Sequence, residues 1–326
     1  MTAPVIERAV EAAGHPAIEP LELLWESDDA SRDAAGRERR TIGAPPALVE
    51  FYGGPLSVPL RADRPTVIAN FVSTLDGVVS YGEPGHAGGG QISGFFGPDR
   101  RLMALLRAAA DAVLVGAGTV RASARGEWTP RHVDPTLGRA YAAARSDLGL
   151  TAQPLTAVAT ASGRLDLSHP GLTQADVPVL VLTTEHGRSE LAARSSERVA
   201  VSAIGDRDVE PLAMVSELGR RGARLVTCEG GPHLLGRLLA DELVDELFLT
   251  VAPQIAGRGG QEGASDAGQG GTPAGAGAPA TAGPPGRLAL VEGHAFGFAL
   301  APWSRLISVR RAGSHLFLRY RFNHST

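Results

Sequence analysis

The chain has 326 residues, 43% of them apolar, enough to bury a sizeable core and to exclude a globally disordered protein. Its net charge is −4, its 31 basic residues are all Arg and its one cysteine is Cys228, which excludes a lysine Schiff base, a P-loop lysine, an internal disulfide and a multi-cysteine zinc site. No apolar run approaches the roughly 20 residues that span a bilayer, Met1 to Ile18 lacks the basic-then-apolar order of a signal peptide, and no basic run stands beside aromatics; a cytoplasmic protein without membrane or nucleic-acid partners is the expectation.

In chain order, residues 1–63 form a mixed, Pro-punctuated N-terminal extension whose charged stretch, Asp28 to Arg40, reads as a solvated helix or loop. From Arg64 to Gly257, apolar strands are expected at Thr66–Val72, Ala112–Val115, Leu155–Thr160, Val179–Thr183, Arg198–Ser202, Arg224–Cys228 and Glu246–Val251. Helical patterns lie between them. Pro98–Ala110 places Leu102, Leu105, Leu106 and Ala109 on one face behind a proline suited to a first helical turn, and Val209–Arg221 and Pro232–Ala240 repeat the device. Residues 258–286 are almost entirely Gly, Ala, Pro, Ser, Thr and Gln and read as a disordered insertion. Ser304–Arg311 and His315–Phe322, joined by Ala312-Gly313-Ser314, read as a closing hairpin. The alternation implies an α/β fold: a mixed, mostly parallel sheet of about nine strands, flanked by helices, with a C-terminal antiparallel hairpin.

Two Gly-rich turns follow strands where open α/β sheets bind ligands: Gly116-Ala117-Gly118-Thr119, and Glu229-Gly230-Gly231-Pro232, which opens a helix. Glycine permits close backbone approach, helix N-terminal amides attract phosphate, and Thr119 can cap its helix or bond a phosphate oxygen. Each turn alone is compatible with an ordinary strand-to-helix connection; the two together favour a dinucleotide or a phosphorylated substrate. The third Gly of the Rossmann fingerprint is missing, which disfavours that fold. Ser73-Thr74-Leu75-Asp76-Gly77 reads as a strand ending in an Asx turn, Gln91-Ile92-Ser93-Gly94 as a polar cap before a helix, and Arg107 as an ion-pairing residue beside apolar positions. The nine His show no ligand spacing, so no metal is expected, and His233 reads as a helix-start residue.

Taken in order, these segments resemble the C-terminal reductase domain of bacterial riboflavin-biosynthesis proteins. The resemblance is carried by Ser73–Gly77, Ile92–Gly94, Leu106–Ala108, the block Asp111–Ala122, Glu229–Pro232 and Leu243–Leu247 with Ala252-Pro253. It implies a dihydrofolate-reductase-like fold over residues 64–326 and a homodimer. The implied activity uses NADPH to reduce the ribosyl group of 5-amino-6-(5-phosphoribosylamino)uracil to a ribityl chain. Carried over, Thr119 corresponds to a threonine that contacts NADPH, Gly231 to Arg237 to the pyrophosphate turn and helix start, and Ser162 falls near a cofactor-contacting serine. With the turn glycines, the cofactor set is Gly116, Gly118, Thr119, Ser162, Gly230, Gly231, Pro232, His233, Leu234 and Leu235. Arg107, Arg131 and Glu229 match substrate-holding positions, Trp128 an apolar substrate contact, and Glu229 or Asp76 is the expected proton donor.

Departures from the family pattern bear on the substrate. Asn70 stands where members fused to a deaminase carry a Lys, Ser123 replaces an Asp, and Ala124-Arg125 replaces an Asp-Pro. No His-x-Glu with Pro-Cys-x-x-Cys is present, which implies a free-standing reductase. Reduction of dihydrofolate or another pterin is the second reading, weakened because Asp99, the only acid on the helix after the first central strand, is expected to be exposed at a cap position. A non-catalytic nucleotide-binding module is the third. Arg188, after the strand Val179–Thr183, is a candidate for reading a 2′-phosphate.

Overall fold

The computed structural model describes residues 19–28, 38–83, 87–123, 126–192, 198–257 and 286–324; the expected insertion at 258–286, apart from Gly286, most of the charged stretch after Asp28, and Ala124-Arg125 lie outside them. From the N-terminal side the elements are β1 (Glu22–Glu26), β2 (Arg39–Ile42), α1 (Pro46–Tyr52), β3 (Leu56–Pro59), β4 (Thr66–Ser73) and β5 (Val78–Ser80). There follow α2 (Gly89–Ser93), α3 (Gly97–Ala109), β6 (Ala112–Gly116), α4 (Ala117–Ala122), α5 (Pro130–Val133), α6 (Gly138–Asp147) and β7 (Leu155–Thr160). The remainder is α7 (Pro170–Thr173), β8 (Val179–Thr183), α8 (Glu185–Ala192), β9 (Val199–Ala203), α9 (Pro211–Arg220), β10 (Leu225–Cys228), α10 (Pro232–Ala240), β11 (Glu246–Val251), β12 (Leu288–Ala289), β13 (Ser304–Ala312) and β14 (His315–Phe322).

Ten strands form the main sheet, in the order β1-β13-β14-β11-β4-β10-β6-β7-β8-β9, against the nine expected. The run from β11 to β9 is parallel, and β14, β13 and β1 extend it antiparallel. The extra strand is β1, whose five residues Glu-Leu-Leu-Trp-Glu lack the period-2 alternation that marks a half-buried strand. The central strands are apolar on both faces, as strands covered by helices on both sides must be. Ile68, Leu225 and Phe248 pack against α1, α3 and α6, with Leu102, Leu105, Leu106 and Ala109 on the buried stripe of α3. Val67, Ala69, Leu114 and Val226 point to the opposite face, against α9 and α10. Residues before Arg64 join the first of these cores: α1 buries Leu48, Phe51 and Tyr52 in it.

The hairpin β13–β14 is fastened to the parallel sheet by charge as well as by backbone pairing. Glu246 on β11, almost fully buried, accepts from Arg319 through Oε2 (2.6 and 2.8 Å) and from Arg321 through Oε1 (2.7 and 2.9 Å). Both carboxylate oxygens are thereby satisfied by planar guanidinium forks, which offsets the cost of burying the charge. Glu246→Ala would take a buried carboxylate away from two guanidiniums and is expected to cost about 3–5 kcal/mol of stability. Urea denaturation of the variant beside the parent checks this; a loss under about 1 kcal/mol, the scale of an exposed pair, would mean that backbone pairing alone holds the hairpin.

Candidate active site

The two Gly-rich turns lie side by side because β6 and β10 are neighbours in the sheet and both turns leave from carboxyl ends. Glu229 N donates to Leu114 O (3.0 Å), and Gly231 N donates to Thr119 Oγ1 (2.7 Å). Thr119 therefore does not cap α4, whose N-cap is Gly116; its hydroxyl joins one turn to the other. Gly230 is required by close approach, since a Cβ there would sit 2.4 Å from Gly116 N and 2.5 Å from Val115 Cα.

A groove of about 350 Å³ opens above this junction, lined by Gly116, Gly118, Thr119, Ser162, Gly231, His233 and Leu234. These are seven of the ten residues expected to hold a cofactor. Of the other three, Gly230 lies beneath the groove against β6, Pro232 lines the adjoining cavity, and Leu235 is buried in the core under α10. The open groove walled by glycine, with a threonine hydroxyl and a serine hydroxyl on its rim, fits an extended dinucleotide.

The adjoining cavity, about 740 Å³, shares Gly118, Thr119, Gly231 and His233 with the groove and continues to Asn70, Arg107, Trp128 and Glu229. Alternation along β4 sends Val67 and Ala69 to one face and Ile68 and Asn70 to the other, so Asn70 reaches the α3 side. Arg107 and Glu229, 6% and 5% exposed, form a bidentate pair with N–O distances of 2.6–3.1 Å. Arg107 also donates to Glu127 O (2.9 Å) and Thr129 O (3.2 Å), so these bonds engage four of its five N–H groups. Trp128, nearly fully buried, closes the cavity on its apolar side.

Two expected residues stand elsewhere. Arg131 is half exposed and paired with Asp176 (2.7 Å), lining neither cavity. Asp76 shapes a turn: its carboxylate accepts from Thr74 Oγ1 (2.5 Å), Ala256 N (3.1 Å) and Gly257 N (2.6 Å). Those bonds, that from Thr74 foremost, bring its pKa down to about 2, so it is ionised at neutral pH and holds no proton to deliver. Ser93 ends α2 and does not cap α3, whose N-cap residue, Phe96, makes no side-chain cap bond. Arg188 is exposed and bound to Glu185 on its own helix.

One residue of the cavity runs against expectation. Asp99, expected to be exposed, is 7% exposed and lines the cavity with Met103 and Arg107. Burial, with the negative Glu229 adding to it, pushes the Asp99 carboxyl up to about 6. The signal was in the pattern: Asp99, Met103 and Arg107 are spaced i, i+4, i+8 beside the buried Leu102 and Leu106, which puts the acid on the inward stripe of α3. Arg121, on α4, is the second addition and lines both the groove and the cavity.

Known proteins resemble this chain in sequence and in fold. A reductase of Archaeoglobus fulgidus, 2,5-diamino-6-ribosylamino-4(3H)-pyrimidinone 5′-phosphate reductase, is 29% identical over 197 residues, covering 60% of this chain and 83% of the relative. The enzyme of the same name from Methanothermobacter thermautotrophicus is also 29% identical, over 60% of this chain and 80% of its own length. In three dimensions the chain resembles a pyrimidine reductase-like protein of Corynebacterium diphtheriae, with TM-score 0.55, 20% identity, and 80% and 93% of the two chains covered. It resembles Acinetobacter baumannii RibD as well, with TM-score 0.54, 21% identity, and 80% and 59% covered. At those identities the structural likeness speaks for the fold. The sequence profile of the RibD C-terminal domain matches residues 65–272, and the chain belongs to the RibD C-terminal domain family.

Proposed function

We propose that the protein is an NADPH-dependent reductase that converts the ribosyl group of a phosphorylated ribosylaminopyrimidine to a ribityl chain in riboflavin synthesis. The observation that carries this reading is the junction at Thr119 and Gly231, where a glycine-walled groove opens into a larger cavity lined by charged side chains. The names of the curated relatives support the diaminopyrimidinone 5′-phosphate as substrate; its deaminated uracil counterpart is the other member of the class. A cytoplasmic homodimer belongs to the same proposal. Among the described residues no helix is long and apolar enough to cross a membrane.

The chemistry that NADPH supplies when bound is hydride donation. The chain's own residues then have separate tasks. Gly116, Gly118 and Gly231 let a pyrophosphate approach the backbone, and the Thr119–Gly231 bond keeps the two turns in register. Glu229, held by Arg107, presents fixed carboxylate oxygens to amino or hydroxyl hydrogens of the substrate. Asn70 orients a ribose hydroxyl, and Trp128 excludes water from one wall. The proton that must accompany a hydride is held on the Asp99 carboxyl, whose pKa of about 6 keeps part of the population protonated near neutrality.

A second reading, reduction of dihydrofolate or another pterin, is favoured by one specific observation. Asp99 is a buried acid on the helix after the first central strand, as proton delivery to a pterin requires. Arg107, its donors engaged by Glu229 and two carbonyls, also leaves little cationic capacity for a substrate phosphate.

The purified protein is expected to oxidise NADPH, followed by nicotinamide absorbance, with the ribosylated diaminopyrimidinone phosphate or its uracil counterpart; turnover of dihydrofolate alone would replace the first reading by the second. Asp99→Asn is expected to lower kcat by about 10²- to 10⁴-fold with little change in KM. The acid form of Asp99 is present below its pKa of about 6 and lost above it, so the parent rate should fall as pH rises through that value. The variant's profile should lack that limb; a variant with the parent rate and profile would remove Asp99 from the chemistry. Gly230→Ala, which drives a Cβ into the Gly116 backbone, is expected to weaken NADP+ binding at least about tenfold in a fluorescence titration. Unchanged binding would mean that the turns are not the cofactor cradle.

A further inference from the structure

The strand β11 carries a hydroxyl where packing alone calls for an apolar side chain. Alternation along β11 puts Phe248 and Thr250 on the α3 side of the sheet and Leu247 and Leu249 on the other. Thr250 stands opposite Val72 of β4 and Phe317 of β14 and is fully buried, and its Oγ1 makes no hydrogen bond in good geometry. A buried hydroxyl without a full partner is destabilising, and valine would fill the same space without that cost. Stability therefore gives no reason for a threonine here.

The group on which this hydroxyl acts is the Asp99 carboxyl, in the first turn of α3. Burial raises the pKa of Asp99; against it work, in order of size, the hydroxyls of Thr250 and of Ser93 at the end of α2, which favour the ionised form. The charged neighbours are few. Glu229, after β10, disfavours the carboxylate, and Arg100 on α3 favours it while its Nε donates to Val133 O (3.0 Å). Arg107 is engaged by Glu229 and two carbonyls. His315 on β14, whose Nε2 lies 3.1 Å from Ser93 O, is pushed below the ordinary histidine value by burial. Asp99 lines the substrate cavity and Thr250 does not, so the hydroxyl meets the acid from the side away from the substrate.

We infer that Thr250 is a positioning residue for proton delivery, its hydroxyl placed to bond the carboxylate that forms when Asp99 gives up its proton. The inference deepens the reading of Asp99 as proton donor and rests on it. Delivery breaks the Asp99 O–H bond, puts the proton on the substrate that has accepted the hydride, and leaves a negative charge on Asp99 where little water reaches it. A carboxylate is a stronger acceptor than a carboxylic acid, so the hydroxyl gains its full partner at that moment. A donor already fixed in place stabilises the new charge without rearrangement. Ser93 offers a second hydroxyl, although its Oγ also lies 3.4 Å from Gly90 O. Burial and Glu229 keep the proton on Asp99 near neutrality, and Thr250 lets it leave.

The test follows the Asp99 carboxyl by ¹³C NMR in the full-length protein, with Asp99→Asn identifying its resonance, for the parent, Thr250→Val and Thr250→Ser. The parent carboxyl should titrate near its pKa of about 6. Thr250→Val removes a donor to the ionised form, so the midpoint should rise by about 0.5–1 pH unit. The falling limb of kcat against pH should move up with it, while KM for the pyrimidine phosphate stays at the parent value because Thr250 does not line the cavity. Thr250→Ser, which keeps the hydroxyl, should return both midpoint and limb toward those of the parent. A midpoint that stays in place in Thr250→Val, whatever happens to the rate, would overturn the assignment and leave Asp99 as the donor. A midpoint that moves while the rate profile does not follow would remove Asp99 from the chemistry, and the role of Thr250 in the reaction with it.

Discussion

The ion pair between Arg107 and Glu229 is the contact on which the site's geometry depends. It joins α3, lying on one face of the sheet, to the turn after β10, and with both side chains almost fully buried it is worth having only because Arg107 spends four of its five N–H groups and both carboxylate oxygens accept from it. Two bare charges at that depth would cost more in lost hydration than their attraction returns. Three bonds to the carboxylate and two to backbone carbonyls reverse the balance and fix Glu229 as a rigid wall of the cavity. The same carboxylate, negative and close, helps to keep the Asp99 proton in place. Structure and chemistry meet here, because the bond that ties the helix down also sets the electrostatics a substrate meets.

A chain whose basic residues are all Arg builds much of its framework from guanidinium forks. Arg145, 1% exposed, gathers the carbonyls of Arg107, Ala108, Ala110 and Thr151 and so closes the carboxyl end of α3, although burial lowers its pKa to about 10. Arg319 and Arg321 bind the closing hairpin to Glu246. A lysine could fill none of these places, since each calls for several N–H directions from one planar group. With so many of the cations spent on carbonyls and buried carboxylates, an arginine lining the groove with only a backbone partner, as Arg121 does, stands apart.

The two turns show how a sheet makes a binding site with few side chains. Parallel pairing brings the carboxyl ends of β6 and β10 to the same edge, and glycine lets their turns touch. The groove is then lined by glycine backbone and two hydroxyls, with Arg121 and His233 among the larger side chains, while Asn70, Asp99 and Glu229 line the deeper cavity. The division fits a reaction in which the cofactor brings the reactivity and the protein brings position and dryness.

Local pattern was enough for the parallel strands, the helices α3, α9 and α10, the closing hairpin and the two glycine turns, because periodicity and turn chemistry act over a few residues. The places of Glu229 and Thr119 were legible for the same reason, as they lie in or beside those turns, whereas Asn70 and Trp128 were singled out by the family resemblance. The surroundings of Arg131, Asp99 and Arg121, and in part those of Asp76, were decided by tertiary contacts. Asp76 is kept ionised first by the neighbouring Thr74 hydroxyl, and the amides of Ala256 and Gly257, about 180 residues away, add to it and fix the turn. Arg131 faces outward in its pair with Asp176, and the Asp99 carboxyl is pushed up to about 6 because α3 turns it inward, out of water and beside Glu229. The strand β1, weakly patterned, exists because β13 offers it an open edge. A side chain's charge state follows from its partners and from the water it loses, and both come from parts of the chain far away in sequence.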